Sequence, residues 1–353
     1  MKNSLLLVLS ILIIEKVQSQ YNPNVILSAC PDNKSVVILN YNKGELYHLN
    51  IKSETGTTHL IGNIPNGTYA NISVLNDSLV LLSGQFVYNY ITGKRVSEFT
   101  KETFTTPSGK RIFQIDYGVV KEIDYTGKET GVTFSYVEEK KAGLRLKNLT
   151  KINENAESIV VAYQNSGEQT VVVFDLKTGK SINNFDGFKF SNPKKEIHFL
   201  DLSPDGSQLI IGNTKWVNLY NVKKGKKTGE FEEIENNARM NFMQSGFRAD
   251  GKAAYVSSWY KLYTLNTKDF TAEENIVINL KDVKVFQWKN RDGSISKERT
   301  YVNTKFFWSH YTVMKDEKYI VALTDEVSGS STILYYMYLG DGGIGNKHIE
   351  IFR

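Results

Sequence analysis

Again and again along this chain a short apolar run stops at a polar turn and starts again, and this alternation limits the chain to a few kinds of fold. One copy reads FLDLSPDGSQLIIGNTKWVNLYNVKKGK from Phe199, with the order strand, Asp-Gly turn, strand, loop, strand, Gly turn. Asp and Gly tolerate the positive φ that a tight hairpin demands. The next copy, SGFRADGKAAYVSSWYKLYTLNTKDF, places Asp250-Gly251 45 residues after Asp205-Gly206. Upstream copies turn at Asp32-Asn33, Asn76-Asp77, Ser108-Gly109 and Asn155-Ala156, and a last one turns at Asp316-Glu317. Beyond the N-terminal segment no long stretch has helical apolar spacing. Runs of Val, Ile, Leu, Tyr and Phe punctuated by Gly, Asn and Asp are strand and turn chemistry.

The seven turns are spaced by about 47 residues on average, close to the period of a four-stranded propeller blade. A lone four-stranded sheet exposes both faces and both edges. Radial stacking buries the faces and shortens the exposed edges. The expectation is therefore an all-β β-propeller of seven four-stranded blades occupying 20–353 as one domain. The uneven spacing leaves six and eight as alternatives. The long gap before Asp316 holds VFQWKNRDGSISKERTYV, read as an inserted hairpin over 281–304 that turns at Asp292-Gly293, or else as an eighth blade. Val25–Ser28 reads as the first copy's own inner strand and Ile349–Phe352 as the last copy's own outer strand. The ring is thus expected to close by packing, with no strand shared across the seam.

The N-terminus, MKNSLLLVLSILIIEKVQSQ, has a charged start, an apolar core over Leu5–Ile14, and small or modest residues at Val17 and Ser19. This is the pattern of a signal peptide over 1–19, cut after Ser19. The core is too short to span a bilayer, which takes roughly 20 apolar residues. The protein is accordingly expected to be secreted or periplasmic, without a membrane span. LSAC at Leu27–Cys30 resembles a lipoprotein box, but the polar stretch from Glu15 to Asn24 separates it from the apolar core. Cys30 is read as a small buried residue. A single cysteine allows no intramolecular disulfide, so the fold is expected to rest on core burial in a monomer.

The repeats LSPDGSQLIIG…WVNLYNVKKGK and VVVFDLKTGK resemble WD40-like and YVTN-type propeller repeats of secreted bacterial proteins, with the match carried by residues 155–270. The resemblance implies a propeller and a tendency to bind partners, and no single activity. Tyr220-Asn221 and Phe174-Asp175 stand where the Trp-Asp dipeptide would be, and no copy has the Gly-His pair, which argues against the hydrogen-bonded tetrad of the strict WD40 family.

Signals for catalysis are weak. Gly340, Gly342 and Gly345 fit G-x-G-x-x-G, but only eight residues follow, too few for the helix a dinucleotide site needs. His48, His59, His198, His310 and His348 show no metal-ligand spacing, and His48 and His198 read as structural strand residues. No calcium loop and no nucleophile elbow occurs. Asp201, Asp205 and Asp250 are assigned to turns. The chain carries 43 basic and 38 acidic residues. In its densest basic stretch, Lys223, Lys224, Lys226 and Lys227 are followed at once by Glu230, Glu232, Glu233 and Glu235. That reads as a solvated hairpin and not as a nucleic-acid surface. The expectation is a non-catalytic scaffold with no cofactor and no metal, binding a protein or glycan partner. The alternative is a lactonase-like, metal-dependent hydrolase working at the central channel.

The repeat phase assigns loops to faces. Loops between second and third strands emerge on one face and the Asx-Gly turns on the other. Six of the seven former loops carry an aromatic: Tyr41, Phe86, Tyr117, Tyr163, Trp216, and Trp259 with Tyr260. Rim aromatics are typical anchors of a binding patch. Tyr117, Tyr163, Trp216, Trp259 and Tyr260 are the candidate partner-binding residues, at least three of them expected to be partly exposed. The competing reading packs each aromatic between blades.

Overall fold

The computed structural model describes residues 25–352 apart from 42, 52, 54, 63, 65–70, 117, 136–143, 190–191, 193–194, 233–241, 259–260, 278–305, 315–318, 327–331 and 339–346. Every described strand pairs antiparallel with its sequence neighbour, and each sheet is built from four consecutive strands. The first sheet comprises β1 (Val25–Ala29), β2 (Ser35–Asn40), β3 (Glu45–Asn50) and β4 (Thr55–Leu60); the second, β5 (Ile72–Val74), β6 (Leu79–Leu82), β7 (Phe86–Asn89) and β8 (Lys94–Glu98). The third holds β9 (Glu102–Thr105), β10 (Ile112–Asp116), β11 (Val119–Ile123) and β12 (Glu129–Ser135); the fourth, β13 (Leu144–Ile152), β14 (Ser158–Asn165), β15 (Glu168–Asp175) and β16 (Ser181–Lys189). The fifth holds β17 (Phe199–Leu202), β18 (Gln208–Gly212), β19 (Trp216–Asn221) and β20 (Lys226–Glu232); the sixth, β21 (Phe242–Phe247), β22 (Ala253–Ser258), β23 (Lys261–Asn266) and β24 (Ala272–Val277). The strands β25 (Phe306–Val313), β26 (Tyr319–Glu326), β27 (Thr332–Tyr338) and β28 (Lys347–Phe352) form one further sheet, the seventh in chain order.

The sheets follow one another around a ring. First strands meet first strands: β9 with β13, β13 with β17, β17 with β21, β1 with β5, and β25 with β1, which closes the circle. β1 pairs with β2 and β28 with β27, each inside its own sheet, so no strand is exchanged at closure. Second strands read as unbroken apolar runs because they are covered on both faces. SVVILN of β2 and most of SIVVAYQN of β14 are buried. Fourth strands face water, as in TGTTHL of β4 and KKTGEFE of β20.

Among the described residues, apolar clusters close six seams. One, for example, joins Ile26, Val37 and Leu39 to Val80, Leu82 and Tyr88, and another joins Val160, Val171 and Phe185 to Leu200, Leu209 and Ile211. Between the sixth and seventh sheets the described link is polar. The Tyr311 hydroxyl donates to the Tyr255 carbonyl at 2.9 Å, and the Gln244 amide exchanges longer bonds of 3.4 and 3.5 Å with the Tyr311 backbone.

The signal segment 1–19 with its cut after Ser19, the hairpin over 281–304, the Asp316-Glu317 turn and the Gly340–Gly345 loop lie outside the described residues. Cys30 is buried directly after β1. Among the described residues no helix is long and apolar enough to cross a membrane.

Candidate functional site

The aromatics of the loops between second and third strands that are described are buried. Tyr163 and Trp216 are only 2 % and 7 % exposed. Tyr163 belongs to the cluster between the third and fourth sheets, and Trp216 to the one between the fourth and fifth, where it stacks on Phe188 with ring centroids 6.0 Å apart. Tyr41 and Phe86 are buried as well. The cause is the position these residues share. Each sits at or beside the start of a third strand or near the end of a second, where a neighbouring sheet covers the side chain, and burying a large ring there gains more than leaving it wet. Tyr117, Trp259 and Tyr260 lie outside the described residues.

At the centre of the ring the first strands present an unpaired edge, whose N–H groups need partners. A side chain at one repeat position supplies them. Ser28, Asp201 and Thr312 each stand four residues before the aspartate of their repeat, Asp32, Asp205 and Asp316. Each accepts from the first strand of the following sheet: the Val74 N–H donates to Ser28 Oγ at 3.4 Å, the Phe247 N–H to Asp201 Oδ2 at 2.8 Å, and the Ala29 N–H to Thr312 Oγ1 at 3.3 Å. Two other central seams are bridged differently. Arg145 of β13 pairs with Glu102 of β9 at 2.6 Å, and Gln244 bonds the Tyr311 backbone as described.

Asp201 therefore departs from its sequence reading. Asp205 and Asp250 are turn residues whose Oδ1 atoms accept the Ser207 and Lys252 N–H groups. Asp201 sits inside β17, between the buried Leu200 and Leu202. Burial pushes its carboxyl up to about 6, against the opposing pull of Lys151 and of the backbone N–H groups it accepts. The signal was present in the sequence: a lone acid inside an apolar strand is not turn chemistry. Lys151, also four residues before its turn residue Asn155, belongs to the same repeat position.

His48 and His198 sit in structural surroundings. His48 lies in β3 with its ring 5.0 Å from that of Tyr90, and burial lowers its affinity for a proton. The His198 N–H donates to the Gly212 carbonyl, and its ring is 3.7 Å from Glu196. Among the described residues no three His, Cys, Asp or Glu side chains gather as a cation site. Two shallow clefts of about 230 Å³ each lie among turn and strand residues of the third and sixth sheets, one beside Arg111 and Glu122 and the other beside Lys252 and Glu273.

Solved structures with this ring exist. The chain superposes on hydrazine synthase of Kuenenia stuttgartiensis with a TM-score of 0.59 at 13 % identity, covering 90 % of this chain and 96 % of that one. It superposes on the β-propeller domain of Cps50 (Swd1) from Myceliophteria thermophila with a TM-score of 0.55 at 10 % identity, covering 87 % and 95 %. The chain is a β-propeller. A chain of the mitotic checkpoint complex matches with a TM-score of 0.53 at 11 % identity, covering 90 % and 87 %. At these identities the likeness concerns the fold alone. No family model and no curated protein sequence matches the chain.

The propeller's turns between third and fourth strands follow a second rule. In the second, third, fifth and sixth sheets the turn leans on the fourth strand of the preceding blade. A Cβ on Gly93 would strike His59 of β4 at 2.6 Å, and the Ser97 hydroxyl of β8 donates to the Tyr125 carbonyl. The Asn183 amide of β16 donates to the Val222 and Lys223 carbonyls at 3.0 and 3.4 Å, and Gly229 of β20 lies under the Phe270 ring. Among the described residues, the exposed large apolar side chains, Leu60, Ile91, Val96, Tyr125 and Ile182, lie on this outer rim.

Proposed function

We propose that this protein is a non-catalytic propeller scaffold that acts outside the cytoplasm and holds a macromolecular partner on one face. The observation that carries the reading is the use made of the central strands. Among the described residues, several polar side chains of the central strands, where a channel enzyme would place its reactive groups, tie neighbouring blades together: Ser28, Asp201 and Thr312 to backbone N–H groups, Glu102 to Arg145, and Gln244 to Tyr311. Groups that satisfy their neighbours' edges are poorly placed to change partners during a reaction. Propeller likeness supports a surface that presents loops and turns, and the signal-peptide pattern supports an extracytoplasmic site of action.

The test has two arms. Protein purified from its native host is expected to begin at Gln20 by mass spectrometry and to bring down a defined partner at constant stoichiometry. It is also expected to hold no stoichiometric divalent ion by elemental analysis. A tightly held ion whose removal abolishes hydrolysis of a lactone or ester would overturn the scaffold reading in favour of a channel enzyme. A retained Met1 would overturn the proposed compartment.

A further inference from the structure

We infer that the rim of the fourth and fifth blades is a docking surface for an acidic, extended segment of a protein partner. This rests on the scaffold reading and names the kind of partner. Lys177 and Lys180 lie in the turn between β15 and β16, and Lys223, Lys224 and Lys226 in the turn between β19 and β20. All five are exposed, and among the described residues none has a carboxylate within ion-pair distance. The only described ion pair beside them uses the next lysine, Lys227, with Glu230. Of the glutamates that follow the lysine run in sequence, Glu230 pairs with Lys227, and Glu233 and Glu235 lie outside the described residues.

Architecture brings the two turns together. Asn183, three residues past Lys180, clasps the carbonyls of Val222 and Lys223 in the next blade. Asn221 Oδ1 accepts the Lys224 N–H at 2.8 Å and fixes the turn from within. Gly225, at φ +63°, lies so close that any Cβ would meet the Asn183 amide at 2.7 Å. The lysines are therefore displayed from backbone held in one arrangement, which lowers the ordering cost of binding. Five exposed lysines on two rim turns outnumber the acids beside them, Asp175, Glu230 and Glu232, and a net positive field held on a rigid rim is the electrostatic pattern that steers an oppositely charged partner.

The chemistry favours a polypeptide. Lysines are mobile point charges, suited to a run of separate carboxylates and not to planar bidentate recognition. Ile182 stands exposed between Lys180 and Asn183, and lysine stems add apolar surface around it. An acidic segment with interspersed aliphatic residues matches both. Base recognition in single strands relies on stacking platforms, and the described residues of this patch carry no aromatic.

The test uses the full chain and a fluorescent peptide alternating Glu with Leu, followed by anisotropy. Binding is expected to weaken steadily with added salt. Lys223→Glu with Lys224→Glu is expected to weaken it about tenfold or more, whereas Lys94→Glu with Lys128→Glu, on the same face of the second and third blades, should change it less than about twofold. Lys223→Gln with Lys224→Gln serves as the second variant if charge reversal lowers the melting temperature, and is expected to give an intermediate loss. No measurable binding, equal losses in both pairs, or salt-independent binding overturns the inference. So does tighter binding, through the same lysines, of a sulfated oligosaccharide or single-stranded DNA of equal charge. None of these outcomes touches the scaffold reading, whose own test is ion content and native-partner capture.

Discussion

At the scale of single residues, Asp201 shows how a propeller turns a liability into a joint. Its carboxyl satisfies an N–H on the edge of the next blade, yet burial raises its affinity for a proton, with a folded-state value of about 6 against an ordinary 3.8. An acid held above its unfolded value contributes stability that is fully present below about pH 4 and is lost as pH rises through about 6. Asp201→Asn keeps an acceptor oxygen and removes the charge. Its unfolding free energy in urea is expected to exceed that of the wild type at pH 7.5 by about 1 kcal/mol or more, and the advantage should shrink as pH falls and vanish below about pH 4. A constant difference across that range would remove Asp201 as the titrating group. Trp216 gives the opposite lesson. Packed on Phe188 and buried, it is expected to cost roughly 3–5 kcal/mol when replaced by Ala, seen as a lower melting temperature. Were it a rim anchor, Trp216→Ala would leave that temperature nearly unchanged.

At the scale of elements, turns do more than reverse the chain. Two glycines at positive φ separate local strain from packing between blades. Gly167 ends the two-residue loop between β14 and β15 at φ +87°, and a Cβ there would meet nothing within 4 Å. Gly109, at φ +77°, sits in the turn between β9 and β10, and a Cβ would lie 2.1 Å from the Val74 carbonyl oxygen of the preceding blade. Gly167→Ala is therefore expected to cost about 1–2 kcal/mol, the price of left-handed backbone for an L-residue. Gly109→Ala should cost clearly more, because a backbone carbonyl has to move and the seam with it. Chemical denaturation of the two variants side by side checks the order, and equal costs would show that the seam yields freely.

At the scale of the whole molecule, the ring closes without a shared strand. What holds the seam is the cluster joining Val25, Leu27, Val36 and Ile38 to Met314 and Val321, together with the Ala29–Thr312 bond. A chain ended after Val277 would leave that face of the first blade uncovered, and a bare apolar sheet face drives association. Such a chain is expected to elute as aggregate in size-exclusion chromatography and to lack a cooperative melt. A monomeric, cooperatively melting product would mean that the remaining blades close a smaller ring by themselves.

The sequence by itself determined the local grammar: where hairpins turn, which strands are apolar on both faces, and that each sheet uses four consecutive strands. Turn residues and apolar alternation act over a few residues, so neighbouring side chains carry the information. Asp32, Asp205 and Asp250 announce their turns because each bonds backbone two residues on. Only the tertiary structure decided what the next blade covers. Trp216 and Tyr163 look like anchors in a loop and become core because a sheet some 45 residues away in sequence lies over them. Asp201 looks like part of a turn and becomes a joint because its partner, Phe247, is 46 residues distant. The same holds for the basic rim, where Asn183, three residues past Lys180, bonds the turn that carries Lys223 across a distance of 40 residues. Residue type reports what a side chain can do, and the stacking of blades decides which neighbour it does it to.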